Sequence, residues 1–136
     1  MKEFLDTILK WDGTTWAAQV SGSIQYLRGV WGTDASNVWA VGDFGTILKW
    51  NGTSWSAQAS GTTQSLNGLW GASASTIWAV GASGVIVKWN GSTWSGDGGP
   101  LQSFFGVWGS DASSLWVVGE AGSIFKWTGT GLVAQS

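Results

Sequence analysis

The 136-residue chain contains no cysteine and no histidine. Without thiols it can build neither a disulfide framework nor a thiolate metal site, so its stability must come from packing, and cysteine usage says nothing about redox compartment. Lacking both residues, it has neither the usual general base nor a thiol nucleophile, which leaves Ser, Lys and carboxylates for any chemistry. Charge is sparse as well. Six basic and eight acidic residues give a net charge of −2 and are scattered along the chain. No patch carries the electrostatic footprint that a phosphate backbone or an anionic membrane calls for, which argues against nucleic acid and membrane as partners. No segment approaches the roughly 18 uninterrupted apolar residues of a membrane span, and the N-terminal MKEFLDTILKW lacks an apolar run followed by a small-residue cleavage site. As given, the sequence reads as soluble and unprocessed, with its localisation otherwise open.

Tryptophan is what the chain has in excess. All 13 Trp fall into four columns, at 31, 70 and 108; at 39, 78 and 116; at 11, 50, 89 and 127; and at 16, 55 and 94. The spacing is 39 residues, shortening to 38 in the last copy, and Trp31–Ser56 matches Trp70–Ser95 at 16 of 26 positions. A period near 40 residues fits either helix-pair solenoids or four-stranded propeller blades. Glycine decides between them. Gly29, Gly32, Gly42, Gly45 and Gly52 interrupt the first copy too often for a helix, and the segments between them are rich in Val, Ile, Leu and Trp. Short strands joined by tight turns are the reading that fits.

Each repeat divides into strand a (YLRGVWG), strand b (NVWAVG), strand c (TILKW) and strand d (TSWSAQ). Asn51-Gly52, Asn90-Gly91 and Asp12-Gly13 mark the c–d turns, because these dipeptides tolerate positive φ, and the paired glycines of GDFG, GASG and GEAG mark the b–c turns. Strand b is apolar at successive positions, as expected for a sheet covered on both faces. One Trp per strand then supplies wide, flat filling between stacked blades.

With 43% hydrophobic residues, the chain reads as one repeat domain over 1–136. A half-blade hairpin is expected at 7–19 and blades at 26–58, 65–97 and 103–136. The predicted fold class is therefore all-β: a β-propeller of four-stranded blades, about 3.5 per chain. Propellers close with four to eight blades, and open blade faces and edges are costly, so closure by oligomerisation is expected. A homodimer would give six blades, or seven if the half-blades count, with the N-terminal hairpin completing the sheet at a chain junction. The alternative is a piece of a longer propeller.

The motifs L-x-G-V/L-W-G and W-A-V-G-x-x-G-x-I-x-K-W, with N-G-T-S-W at Asn51–Trp55, resemble bacterial β-propeller repeats related to Asp-box (sialidase-type) blades and to photosystem II assembly-factor propellers. The Asp-box pattern Ser-x-Asp-x-Gly-x-Thr-Trp is degenerate here. Gly52, Ser54 and Trp55 match its second half, but Leu48 and Trp50 stand in place of Ser and Asp. Sialidase chemistry in that family implies an arginine triad and a tyrosine nucleophile, whereas this chain has only Arg28 and only Tyr26. The expectation is a non-enzyme that needs no metal and no cofactor.

Asp34 and Asp111 share the a–b loop position, and Asp43 and Glu120 the b–c position. Symmetry separates equivalent residues on different blades, so turn carboxylates exposed to water explain them better than an acid–base pair. If a ligand binds, these four acids beside Trp39 or Trp116 are the candidate contacts. Lys10, Lys49, Lys88 and Lys126 each precede a Trp, which suits a long stem lying over a neighbouring indole. Two functions follow: a self-assembling structural or recognition scaffold, or a lectin-like propeller binding carbohydrate between blades or at loops. The partners expected are a second copy of the chain, and a carbohydrate or protein ligand.

Overall fold

The computed structural model describes residues 7–135. They form one two-stranded and three four-stranded antiparallel sheets. The hairpin comprises β1 (Ile8–Trp11) and β2 (Trp16–Gln19). Blade 1 contains β3 (Leu27–Asp34), β4 (Asn37–Gly42), β5 (Ile47–Trp50) and β6 (Trp55–Gln58). In blade 2 the strands are β7 (Leu66–Ser73), β8 (Thr76–Gly81), β9 (Val85–Trp89) and β10 (Trp94–Gly98). Blade 3 is made of β11 (Phe104–Asp111), β12 (Ser114–Gly119), β13 (Ile124–Trp127) and β14 (Leu132–Ala134). Strands pair in sequence order within every blade. No helix in this region is long and apolar enough to cross a membrane.

The b–c turns are tighter than their glycine pairs suggest. Phe44 and Gly45 both take left-handed φ, 54° and 68°, and the Thr46 amide donates back to the Asp43 carbonyl. Ser83 and Ala121 repeat the left-handed conformation at the same place. Two positive φ values in succession give the turn whose twist matches an antiparallel pair. The c–d turns rely on asparagine in an unexpected way. Asn51 closes its loop through its side chain, whose Oδ1 accepts from the Thr53 and Ser54 amides at 2.8 and 2.9 Å, while the positive φ falls on Gly52. Asn90 does the same with Ser92 and Thr93, and Asp12 with Thr14 and Thr15. These are Asx turns, in which the acid or amide acts as an acceptor.

Alternation along each b strand builds the core. Ile77 and Ala79 of β8 point to the cluster shared with blade 1, which also holds Trp39, Val41 and Ile47. Trp78 and Val80 point the other way, to the cluster shared with blade 3, which holds Phe104, Leu115, Val117 and Phe125. The core is thus two interfaces between blades, and no sheet has a core of its own. Successive apolar residues in strand b follow directly, since both faces are dry.

The a strands of blades 1 and 2 each carry a Trp that reaches the next blade. The Trp31 indole lies against Gly71, where a Cβ would run into the ring. The Trp70 indole lies likewise against Gly109, whose Cβ would stand 2.8 Å from the ring. Glycine is required there because the backbone and an aromatic plane share one van der Waals gap.

Truncating Trp78, which is buried between blades 2 and 3, should cost about 3–5 kcal/mol, as for large core aromatics generally. Urea unfolding of Trp78→Ala measures it, and a loss below about 1 kcal/mol would contradict the burial. Far-ultraviolet circular dichroism should show β structure with Trp exciton bands, and a substantial helical signal would contradict the fold.

Candidate functional site

The same column of the repeat meets different surroundings at the two ends of the blade array. In strand b, Trp39 and Trp78 are 1% and 3% exposed, but Trp116 is 37% exposed. Val41 and Val80 are buried, whereas Val118 is exposed; Ile47 and Ile86 are buried, whereas Ile124 is exposed. Trp108, the a-strand counterpart of Trp31 and Trp70, is 61% exposed. Phe105, three residues earlier on the same strand, is also exposed. One face of blade 3 therefore presents the side chains that blades 1 and 2 bury against a neighbour. An apolar, aromatic face of this kind marks an interaction surface.

At the other end of the array the cover is partial. The β1–β2 hairpin stands beside blade 1, where Ala40 and Leu48 are buried. Between hairpin and blade lies a cleft of about 340 Å³ lined by Thr7, Ile8, Leu9, Arg28, Val30 and Trp55 among others. The seat is imperfect. Between blades 1 and 2, Trp94 Nε1 donates to Gln58 Oε1 at 2.9 Å. The matching Trp55 Nε1 is buried without an acceptor, although Gln19 occupies the column of Gln58.

Each carboxylate singled out from the sequence has local partners. Asp34 accepts from the Ser36 amide at 2.8 Å and from Asn37 Nδ2, and Asp111 accepts from the Ser113 amide and hydroxyl at 2.8 and 2.6 Å. Both close their own a–b turns. Donors hold both carboxyls below the ordinary value, chiefly the Ser36 amide for Asp34 and the Ser113 hydroxyl for Asp111. Asp43 is paired with Arg28 through Nε and, at 3.2 Å, through Nη2. The guanidinium likewise holds the Asp43 carboxyl down, while the carboxylate raises Arg28. Glu120 accepts from the Ser103 amide at 3.1 Å.

These four acids do not converge. Asp34 and Asp43 flank the six residues of β4, and Asp111 and Glu120 flank β12, so each pair is split between opposite rims, about 20 Å apart at 3.3 Å per residue. Trp39 is sealed beneath Lys49, whose Nζ stands 4.6 Å from the ring centroid. Trp116 alone of the six has an indole partly open to solvent, with Lys126 Nζ 5.3 Å from its centroid. The lysines do lie over indoles: Lys49 and Lys88 over the strand-b Trp opposite them in register, Trp39 and Trp78, and Lys10 over Trp50 of blade 1. Burial lowers the Lys49 ammonium pKa.

Sequence reasoning did not find the Arg28–Asp43 pair. Its signal is a break in one a-strand column, which reads Arg28, Asn67, Phe105. Asn67 spends its amide on the next blade, donating to the Phe104 carbonyl at 2.7 Å. Among the described residues no group of three or more His, Cys, Asp or Glu could hold a metal ion.

No protein-family model matches the chain, and no curated protein matches it in sequence. Solved structures do. The chain is similar to YCF48 bound to D1 peptide, with a TM-score of 0.75 at 18% identity over 91% of this chain and 45% of that one. It is also similar to YCF48 from Cyanidioschyzon merolae, with a TM-score of 0.68 at 16% identity over 82% of this chain and 39% of that one. The fold is a β-propeller. The chain spans less than half the length of each YCF48 chain, and at this identity the likeness concerns the propeller fold alone. Three and a half propeller blades present one open aromatic face and one half-covered face.

Acid should weaken the propeller in a defined window. Asp34, Asp43 and Asp111 have lowered folded-state pKa values, so their stabilising contribution is complete above the unfolded carboxylate value of about 3.9 and is lost as pH falls through the lower folded values. Carbon-detected NMR titration should place all three below Asp in a model peptide. Values at or above that reference would contradict the turn and ion-pair geometry.

Proposed function

We propose that the chain is a non-catalytic propeller module that joins a second copy of itself to close a ring, and that the ring serves as a recognition scaffold. The observation that carries this reading is the contrast within one repeat: side chains buried at two internal junctions are bare at the third. At about 25 cal/mol per Å² of apolar surface, covering several hundred Å² at two junctions contributes roughly 10 kcal/mol before association entropy is subtracted. Association costs of about 4–15 kcal/mol stand against it, so the strength of the dimer rests on how closely the aromatic side chains seat at the junctions.

Recognition of a protein segment is supported by likeness to a propeller whose structure is YCF48 bound to D1 peptide. A carbohydrate reading has narrower support, in the half-open Trp116 indole beside Lys126. Catalysis has none, since the carboxylates are dispersed over separate turns and each already has donors of its own.

Light scattering should give a particle of twice the 14.3 kDa chain mass at micromolar concentration. A well-folded monomer there would overturn the closure argument. Deleting residues Met1–Gln19 should weaken the dimer or make it aggregate, and an unchanged dimer would remove the hairpin from the junction.

A further inference from the structure

The internal junctions specify what the open face of blade 3 lacks. At each of them the a-strand Trp of one blade lies on a glycine of the next: Trp31 on Gly71, and Trp70 on Gly109. The receiving strand also presents an aliphatic residue two positions before that glycine. Leu69, in that position, is 8% exposed and lies close to Gly29 of blade 1. Continued through the repeat, the pattern leaves two orphans. Among the described residues, no glycine has Trp108 as its nearest neighbour. Gly32 of blade 1 is exposed where Gly71 and Gly109 are buried, and the atoms nearest to a Cβ there belong to Asn37 and Val38 of its own hairpin rather than to an indole. Val30, the counterpart of Leu69, is 69% exposed.

We propose that Trp108 of one copy seats on Val30 and Gly32 of a second copy, in a head-to-tail junction that reproduces the two internal ones. This rests on the self-assembly reading above and names its contact. The occupant is a second copy because donor and acceptor are surplus halves of one interface already formed twice within the chain. The hairpin covers this notch only in part, since Val30 lines the cleft between hairpin and blade 1 and stays 69% exposed. Ala40 and Leu48, in register with Val30 across β4 and β5, are buried, yet Val30 itself stays bare, and the hairpin is a c–d pair only, so the a–b pair of that blade is what is missing. β11–β12 of the second copy is such a pair. Only one outer hairpin fits beside it. β14 has three residues and Leu132 in the column where the other d strands begin with Trp, whereas β13 keeps Phe125 in the core with blade 2, so the intact β1–β2 competes with β13–β14 for that place. The contact is heterologous, so it closes at two copies only where the blades of each chain turn through half a ring.

The test uses the full chain, with Trp108→Ala and Val30→Asp made separately. Both side chains are exposed in the single chain, so circular dichroism and thermal midpoint under dissociating dilution should match the parent. By sedimentation equilibrium each variant should raise the dimer dissociation constant about thirtyfold or more, as for loss of a central aromatic anchor. An equimolar mixture of the two should recover dimer, because the intact Trp108 of the Val30→Asp chain meets the intact Val30 of the Trp108→Ala chain at one junction. If the parent is monomeric at every concentration, the self-assembly reading fails and this contact with it. If the parent dimerises and both variants dimerise equally well, self-assembly stands and the Trp108 contact is wrong. If both variants are monomeric and the mixture stays monomeric, the head-to-tail polarity is wrong.

Discussion

Everything in this propeller depends on a Trp indole lying flat on a glycine of the neighbouring blade. A four-stranded sheet with two apolar faces cannot remain in water alone, and here each face at an internal junction is dried by the sheet beside it. The indole supplies area and rigidity, and the glycine supplies the gap into which the ring fits. Repetition of that pair, Trp31 with Gly71 and Trp70 with Gly109, turns a set of weak sheets into a stack. It also makes stability a nearest-neighbour property, as in other repeat proteins, so the blades at the two ends are the least supported.

The electrostatic features serve the same stack. Lysines across from the strand-b Trp stand over the ring of each indole, which allows a charged residue in the sheet because its stem packs while its ammonium meets the ring and nearby oxygens. Lys49 shows this most fully, reaching the Ser36 and Trp50 carbonyls and Asn37 Oδ1 at 3.2, 2.6 and 3.1 Å. The turn carboxylates bind the amides of their own loops and thereby fix the a–b register. Arg28 and Asp43 tie strand a to the b–c turn on the one blade whose neighbour is incomplete.

Much of this was legible in the columns of the repeat. Period, composition and turn dipeptides were enough for four strands per blade, for the half-blade and for the two-faced b strands. Three features were not legible, each for a physical reason. The c–d asparagines looked like residues chosen for positive φ, yet they act through side-chain carbonyls, which one dipeptide cannot distinguish. Phe44 carries no sign in its identity that it adopts a left-handed conformation. Above all, Trp39, Trp78 and Trp116 are identical letters with different fates, because burial in a repeat is decided by the neighbour and not by the residue. Ligand contacts drawn from those columns therefore mixed a sealed indole with a half-open one, and joined acids that lie on opposite rims.

The central claim is that a blade is secure only between two neighbours. Hydrogen exchange resolved by blade, followed over protein concentration, tests it most directly. Below the concentration of association, amides of β7–β10 should be better protected than those of β3–β6 and β11–β14. Protection of the two outer blades should then rise toward that of the central one as concentration increases. Equal protection of all three blades at every concentration would contradict the account.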